Sequence, residues 1–265
     1  MERSFLSTLK GLVGGGRAAA GTAPAASPPP DEAPAPPESP NKVAYLSAMR
    51  IFRDLSPKEM QMVVDSTVMT TARKGRIIYM PEETGEALFL LKKGTVHLYR
   101  LSSEGRKLII ETVGPMTFFG EMSFVGQKMY DLFAEAAEDC LVCVMSRADV
   151  ERLILSKPQV ALRMMEEIGR RMHDAQERLG DSAFKGIPAR IASLLLKLSQ
   201  DGTRPLTGTR HQDLADMLGV YRETVSSTLG QLRDEGIIDL SRKEITILDA
   251  ERLREKAEDE TLRKR

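Results

Sequence analysis

The chain has 265 residues, which is enough for two domains with independent cores. Its 38 basic and 38 acidic residues cancel, so the chain as a whole does not attract nucleic acid, and any such affinity must come from a local basic patch. Two cysteines are too few for a disulfide framework, and no apolar run approaches the roughly 20 residues that span a bilayer. Because the opening residues also lack a convincing signal peptide, we expect a cytoplasmic protein with no membrane partner.

A disordered, Gly/Ala/Pro-rich tail is expected at the N-terminus, over residues 1–42. Residues 11–41 are rich in Gly, Ala, Pro and Ser, and such a composition cannot bury enough apolar surface to offset chain entropy. One amphipathic helical segment could precede this stretch, formed by Phe5, Leu6, Leu9, Leu12 and Val13. That segment is either a frayed start or a contact for a partner or a lipid, and both interpretations stay open.

A domain dominated by β-strands is expected over residues 43–156. It begins with a helical pattern in which Ser56 followed by Pro57 is a start signal, with Ser as the cap and Pro at the first helical position. Short apolar segments separated by glycine turns follow, at residues 77–79, 88–91, 96–99, 108–110 and 141–145. Many short strands at regular spacing favour an antiparallel sandwich or barrel of the jelly-roll type.

No metal site or cofactor is expected. Cys140 and Cys143 have Cys-x-x-Cys spacing, but residues i and i+3 of a strand face opposite sides, so the two thiols cannot easily hold one metal or form one disulfide. We interpret them as buried core cysteines, with redox sensing as the open alternative. The histidines, His97, His173 and His211, are scattered without a partner carboxylate, which is weak support for a metal site.

A long helix is expected at residues 157–182. Its apolar residues recur at alternating steps of four and three over nearly three heptads, at Ala161, Met165, Ile168, Met172, Ala175 and Leu179. This pattern is typical of a two-stranded coiled coil, so we expect a dimer seam; the alternative is a helix that packs on its own domain. Small Ala and flexible Met at four of these six positions predict an adjustable contact rather than a rigid zipper.

Residues 183–250 predict a winged helix-turn-helix domain. A hinge candidate at residues 184–186 and a helix at residues 189–198 come first. Two short helices then meet at Gly219, which can take a positive φ at low cost. Both helices carry one apolar face, formed by Leu214, Ala215, Leu218, Val225, Leu229 and Leu232. This is the arrangement of a helix-turn-helix, whose second helix enters a major groove.

The second helix carries polar residues opposite its apolar stripe. Arg222, Glu223, Ser226 and Ser227 share that face because they lie one turn apart. Arg can bind guanine through two hydrogen bonds, Glu can accept from cytosine, and Ser can bond base edges or phosphate. These residues predict a DNA contact; the alternative is an ordinary amphipathic surface helix with its charged side in solvent.

A wing and a tail complete the predicted chain. Alternating apolar runs at residues 237–240 and 245–248 enclose a turn, which predicts a β-hairpin. Its tip carries Arg242 and Lys243, two cations that suit contact with DNA phosphates. Residues 251–265 are expected to form a charged C-terminal tail, which consists of a mixed-charge helical segment and a basic end, LRKR.

The motifs of the chain, taken in this order, match one known family. They are Lys93-Gly94, Gly105, Gly114, Phe119-Gly120-Glu121-Met122, Ala189-Arg190-Ile191 and Arg222-Glu223-Thr224-Val225. Together they resemble the Crp/Fnr family of bacterial transcription regulators over about residues 46–250. The resemblance implies an α+β fold with an N-terminal antiparallel β-roll (jelly-roll, cyclic-nucleotide-binding-like), a long dimerisation helix and a C-terminal winged helix-turn-helix domain. It also implies a homodimer on a palindromic site in double-stranded DNA, with RNA polymerase as a further partner.

The resemblance implies roles for single residues as well. Arg222 resembles the arginine that binds a guanine, and Glu223 resembles the glutamate that contacts the neighbouring base pair. Thr209 and Arg210 match positions that contact phosphate in the family.

Two positions depart from the family pattern. Ser227 stands where the family commonly has a second arginine, so one base contact of the familiar half-site is in doubt. Tyr221 stands where the family caps the DNA-contacting helix with Ser or Thr, and a lost cap costs about 1 kcal/mol.

An effector pocket of the cyclic-AMP-binding type would include Gly120, Glu121, Met122, Tyr130, Asp131, Ala175 and Gln176. The family's phosphate-binding arginine and hydroxyl residue fall at Tyr130 and Asp131, and an aspartate would repel a phosphate. We therefore predict that cyclic AMP is not the effector. The family's iron–sulfur sensors use N-terminal cysteines, which are absent before residue 140. An unidentified small molecule, a protein or redox cue, and constitutive competence all stay open.

The expected function is a sequence-specific, dimeric, DNA-binding transcription regulator that activates transcription. The alternative within this class is a cyclic-nucleotide-binding or redox- or gas-sensing module whose ligand controls DNA binding. A nucleotide-binding module of the kind attached to kinases or channels is disfavoured, because such modules lack a DNA domain. An enzyme is not expected, since the sequence has no nucleophile motif, no paired carboxylates and no Gly-rich phosphate loop between a strand and a helix.

Overall fold

The computed structural model describes residues 42–81, 87–120, 132–242 and 244–258. These residues form two compact units. The first lies within Met1–Tyr99 and Glu111–Met165, and the second within Arg100–Ile110 and Glu166–Arg265. Each unit has a hydrophobic core of its own.

The elements up to residue 156 are a few helices and a series of short strands. The helices are α1 (Lys42–Ser47), a short 3-10 helix (Arg50–Phe52), α2 (Pro57–Asp65) and α3 (Arg147–Ser156). The strands are β1 (Thr67–Ala72), β2 (Ile77–Tyr79), β3 (Ala87–Lys93), β4 (Val96–Leu101), β5 (Lys107–Val113), β6 (Thr117–Gly120), β7 (Phe133–Ala136) and β8 (Cys140–Ser146).

The described strands form two four-stranded sheets, in the orders β1-β8-β3-β6 and β2-β7-β4-β5. The pairs β1–β8, β3–β8, β3–β6, β2–β7 and β4–β7 are antiparallel. One core draws side chains from both sheets, and in it the ring of Phe89 stacks on that of Phe119 with centroids 5.1 Å apart. The predicted antiparallel roll is confirmed. Strand β1 was missed because its sequence, TVMTTA, has three threonines and no apolar run.

The start of α2 has the cap that the sequence predicts. Ser56 is the N-cap, Pro57 is the first helical residue, and the Glu59 N–H donates to Ser56 Oγ at 3.4 Å. In return the Ser56 N–H donates to Glu59 Oε2 at 2.8 Å, which completes a capping box. The Lys157 ammonium also pairs with Glu59. Its hydrogen bond, together with those from Ser56, lowers the pKa of Glu59 from 4.5 to about 2.

Both cysteines of β8 are buried and unpaired, as the sequence predicts. Cys140 belongs to the core shared by the two sheets, together with Val142 and Val144 on the same strand. Cys143 points to the other face, because side chains alternate along a strand. Burial raises the pKa of the Cys140 thiol, which disfavours the reactive thiolate. Redox sensing by these thiols stays a prediction.

The predicted long helix is α4 (Pro158–Phe184). Three residues of its apolar seam are more than half exposed within one chain: Met165 at 52%, Met172 at 60% and Leu179 at 70%. Its charged residues pair along the helix instead, as Arg170 does with Glu167 at 2.5 Å. The described part of the chain therefore leaves these three apolar side chains of the seam exposed.

The remaining elements belong to the second unit. They are α5 (Ile187–Leu198), β9 (Leu206–Thr207), α6 (His211–Leu218), α7 (Arg222–Asp234), β10 (Ile238–Ser241), β11 (Glu244–Ile247) and α8 (Ala250–Glu258). The strands form one antiparallel sheet in the order β10-β11-β9. The predicted β10–β11 hairpin is confirmed, and β9 is an addition, because two residues are too short to leave a sequence pattern.

The C-terminal boundary drawn from the sequence, at residue 250, is too early. The expected helical segment is confirmed as the body of α8, residues 251–258, but this helix belongs to the folded unit because it packs on α5. Leu253 and Ala257, four residues apart, are buried in the core of the second unit. The many charges of the segment hid this narrow apolar stripe. Residues 259–265, like residues 1–41, lie outside the described residues.

Candidate nucleic-acid interface

The helix-turn-helix consists of α6, a three-residue turn and α7. Gly219 begins the turn with φ +66°, a left-handed conformation that favours glycine, and the Val220 N–H donates to the Ala215 carbonyl at 3.1 Å. Most of the predicted apolar faces is buried, namely Leu214, Ala215, Val225, Leu229 and Leu232. The turn and both stripes are confirmed.

The opposite face of α7 presents polar side chains to solvent. Arg222, Glu223 and Ser227 are exposed, and Ser226 is partly buried. The side chains of Arg222 and Glu223 have no hydrogen bond or ion pair with any residue that the structure describes. Their charged groups are thus available to a partner outside the chain, and they lie in the first turn of the helix.

Tyr221 is the N-cap of α7, and its side chain makes no capping hydrogen bond. The ring instead lies against the Arg106 guanidinium, whose central carbon is 4.8 Å from the ring centroid. The Tyr221 hydroxyl donates to Glu104 Oε2 at 3.5 Å. Both partners belong to residues 100–110 of the same unit. The cap that Ser or Thr would supply is absent, as the sequence predicts.

Arg210, expected to contact phosphate, is paired within its own helix turn. Its Nη2 donates to Asp213 Oδ1 at 2.9 Å, and its backbone N–H donates to Asp213 Oδ2 at 2.8 Å. The hydrogen bond to this carboxylate raises the pKa of Arg210. A phosphate would have to share the guanidinium with Asp213. Thr209, the other expected phosphate contact, is partly buried just before α6.

Arg242, one of the two cations expected on the wing, lies at the tip of the β10–β11 hairpin. Ser241 pairs with Glu244 across the turn, and Arg242 between them is exposed. Lys243 lies outside the described residues.

Two side-chain contacts that sequence patterns did not indicate hold α6 in place. The Arg190 Nη2 on α5 donates to the carbonyl oxygen of Leu218, the last residue of α6, at 2.8 Å. At the other end, His211 Nδ1 is 2.8 Å from Ser226 Oγ on α7. The motif Ala189-Arg190-Ile191 was a signal for the first contact only through the family resemblance.

The residues expected around an effector are only partly described. Gly120 has φ +108°, and a Cβ there would lie 2.7 Å from the Ala87 carbonyl oxygen and 2.7 Å from the Phe89 ring. The β-roll thus requires glycine at this position whether or not it holds a ligand. Ala175 and Gln176 are exposed on α4. The other members lie outside the described residues: Glu121, Met122, Tyr130 and Asp131.

No group of three or more metal-ligating side chains occurs among the described residues. None of the helices that the structure describes is long and apolar enough to cross a membrane.

Known protein families match both the helix-turn-helix domain and the β-roll of this chain. A family model of the Crp-like helix-turn-helix domain matches residues 189–256, and one of the cyclic nucleotide-binding domain matches residues 69–157. The cyclic AMP receptor protein of Thermus thermophilus is 32% identical over 205 residues, which cover 77% of this chain and 95% of that protein. The chain belongs to the Crp/Fnr family of bacterial transcription regulators.

Three further proteins are similar to this chain over 71–80% of its length. The CRP-like cAMP-activated global transcriptional regulator of Mycobacterium tuberculosis is 26% identical over 219 residues, covering 80% of this chain and 98% of that protein. A Crp/Fnr-family regulator from Eubacterium rectale has a TM-score of 0.64 at 26% identity, covering 78% of this chain and 97% of that one. FixK2 from Bradyrhizobium japonicum has a TM-score of 0.62 at 26% identity, covering 71% of this chain and 96% of that one.

Membership in the Crp/Fnr family confirms the α+β fold class and the function class. The chain is a transcription regulator with a DNA-binding helix-turn-helix domain.

Proposed function

We propose that a homodimer of this chain binds a palindromic DNA site, with one α7 in each half-site, and activates transcription by contact with RNA polymerase in the cytoplasm. The observation that carries the DNA contact is the exposed first turn of α7, where Arg222 and Glu223 have no partner among the described residues. A helix N-terminus with a free arginine and glutamate suits the base edges of a major groove.

The exposed seam of α4 supports the dimer. Met165, Met172 and Leu179 are spaced so that they lie on one side of a helix, and each is more than half exposed. A second copy of α4 is the natural cover, because a coiled coil pairs like seams about a two-fold axis. The same axis relates two copies of α7, which is why a palindromic site follows from the dimer.

Each part of the chain has its own role in this arrangement. Residues 43–156 form the β-roll as a sensor-type domain, residues 157–182 supply the dimer contact, and residues 183–250, extended by α8, contact DNA. The phosphate contacts come from Thr209, Arg210, Arg242 and Lys243.

Cyclic AMP is not the effector in this proposal, although two relatives are named for it. By the family resemblance, Tyr130 and Asp131 stand at the positions where a cyclic phosphate needs a cation and a hydroxyl donor. The negative charge of an aspartate would repel the phosphate. The surviving Gly120 is explained by the close approach of Ala87 and Phe89. The packing of the β-roll therefore accounts for the glycine at position 120 without a bound ligand.

Selection of binding sites from random DNA by the full chain tests the proposal. We expect a palindromic consensus with half-sites about one helical turn apart, enriched equally with and without cyclic AMP. A consensus with a single half-site would contradict the dimer. A clear tightening by cyclic AMP in a fluorescence-anisotropy titration would contradict the effector argument and leave the DNA contact intact.

A further inference from the structure

The imidazole of His211 and the hydroxyl of Ser226 join the two helices of the helix-turn-helix. His211 is the first residue of α6, and Ser226 lies in the second turn of α7, 15 positions later in the chain. Their Nδ1 and Oγ atoms are 2.8 Å apart, the length of a good hydrogen bond. Both residues are partly buried, so the pair lies at the edge of the polar face.

This bond limits what the Ser226 hydroxyl can offer to another molecule. A serine hydroxyl has one proton and two lone pairs, and an imidazole nitrogen is either a donor or an acceptor. If Nδ1 accepts, the only proton of Ser226 is used, and the oxygen presents lone pairs that suit the amino groups of adenine or cytosine. If Nδ1 donates, the proton is free for guanine, thymine or a phosphate. In either state the hydrogen bond holds the Ser226 oxygen in one place and sets which of its proton and lone pairs face another molecule.

The neighbouring hydroxyls are held differently. The side chain of Ser227 is exposed and has no hydrogen bond to any residue that the structure describes, so no such contact orients its hydroxyl. The Thr228 hydroxyl is buried and donates to the Thr224 carbonyl within α7 at 3.0 Å. Ser226 alone of these three combines partial exposure with an orienting partner on another helix, and an oriented group loses less entropy on binding.

We propose that His211 is a positioning residue for base recognition: it orients the Ser226 hydroxyl and thereby determines the base preference at the base pair that Ser226 faces. The inference rests on the proposed DNA contact of α7. In this proposal His211 makes no contact with DNA and acts only through Ser226.

The test is a set of binding measurements on the selected operator with each base pair changed in turn. His211→Leu removes the hydrogen bond, Ser226→Ala removes the hydroxyl, and the double variant removes both. We expect both single variants to reduce discrimination at the same base pair by about 3- to 10-fold, the range of one neutral hydrogen bond. The double variant should resemble Ser226→Ala, because two residues that act as a unit are not additive.

Two further variants separate positioning from folding. His211→Gln keeps a side chain that can donate or accept, and we expect it to restore much of the discrimination. Ser227→Ala is the matched control, and its effect should add to that of His211→Leu. Melting curves show whether each variant is folded.

Three results would overturn the inference. His211→Leu could leave every base preference unchanged, could weaken all sequences equally, or could add fully to Ser226→Ala. Each would leave the proposed function intact if the wild-type chain still selects an operator. A folded wild-type chain that selects no DNA would instead defeat the proposed function, and the positioning role with it.

Discussion

The Arg190 guanidinium closes the C-terminal end of α6 by donating from Nη2 to the Leu218 carbonyl oxygen at 2.8 Å. That carbonyl is one of the last four of its helix, which have no partner within the helix itself. Burial lowers the pKa of Arg190, and Asp181 opposes this effect. A half-buried cation on α5 therefore fixes the helix that precedes the DNA-contacting turn.

Arg190→Met should destabilise the second unit by about 1.5–3 kcal/mol, because a hydrogen bond from a charged donor is lost and the partly buried Leu218 carbonyl loses this donor. The midpoint of urea unfolding, followed by circular dichroism, measures the change. Arg190→Lys keeps one cationic donor and should lose less. Equal losses for the two variants would show that packing of the side chain, rather than the bond to Leu218, matters.

Arg222→Ala should cost about 1–3 kcal/mol at one base pair and relax the preference there. The reason is that the exposed guanidinium is unpaired among the described residues and suits two acceptors of one guanine. Anisotropy titrations against operators with single base changes measure the effect. Arg233→Ala is the control, because Arg233 pairs with Asp234 at 2.8 Å near the other end of α7. A loss that is uniform across all sequences would show that Arg222 contacts only phosphate.

Met172→Glu should convert the protein to a monomer and abolish specific DNA binding. Two copies would bring the new carboxylates together in an apolar seam, where like charges repel and lose solvation. Sedimentation velocity measures the association state. Arg170→Glu changes charge at an exposed site two residues earlier, on the other side of α4, and should remain a dimer. A Met172→Glu chain that still sediments as a dimer would show that the seam is misassigned.

Gly120→Ala should destabilise the β-roll more than Gly75→Ala does. Both glycines have a positive φ, +108° and +83°, so each alanine pays about 1–2 kcal/mol for the conformation. Only at Gly120 would the new Cβ also meet a carbonyl oxygen and a ring at 2.7 Å, which adds about 1–3 kcal/mol of overpacking. Thermal unfolding without any ligand compares the two. Similar midpoints would mean that the contact with Ala87 relaxes freely.

Acid should weaken the first unit through Glu59. Its pKa in the folded chain is about 2 against an ordinary 4.5, so the ionised form stabilises the fold above pH 4.5. This contribution is lost as the pH falls from 4.5 towards 2. Glu59→Gln keeps a capping-box side chain but removes the charge. The difference in unfolding free energy between wild type and this variant should therefore shrink over that range.

Lys157→Met provides the second half of this pH experiment. Because the Lys157 ammonium is the largest cause of the lowered pKa, its removal should flatten the same part of the pH profile. A wild-type profile that does not differ from that of Glu59→Gln at any pH would show that the ion pair does not form in solution.

Much of the fold follows from signals that lie within one turn or one strand of the chain. Ser56, Pro57 and Glu59 predict their capping box because the partners are three residues apart. Gly219 predicts its turn because the conformation depends mainly on the residue itself. The buried stripe of α7 follows from helical spacing alone. The absent cap at Tyr221 is equally local.

Local sequence signals did not predict the contacts that hold the helices of the candidate DNA interface together. The contacts of Arg190 with Leu218 and of His211 with Ser226 join residues 28 and 15 positions apart, and no spacing rule relates such pairs. The strand β9 and the core role of Leu253 and Ala257 were missed for a similar reason. A two-residue strand exists only because β11 lies beside it.

By itself the sequence determined most of the helices and strands, the apolar faces and the family, because periodicity, caps and glycine turns act over a few residues. The tertiary structure alone decided which polar groups already have partners. It leaves the charges of Arg222 and Glu223 available, whereas it pairs Ser226 with His211 and the Leu218 carbonyl with Arg190. The physical reason is that a hydrogen bond needs its atoms within about 3 Å, and only the packing of helices on one another brings distant residues that close.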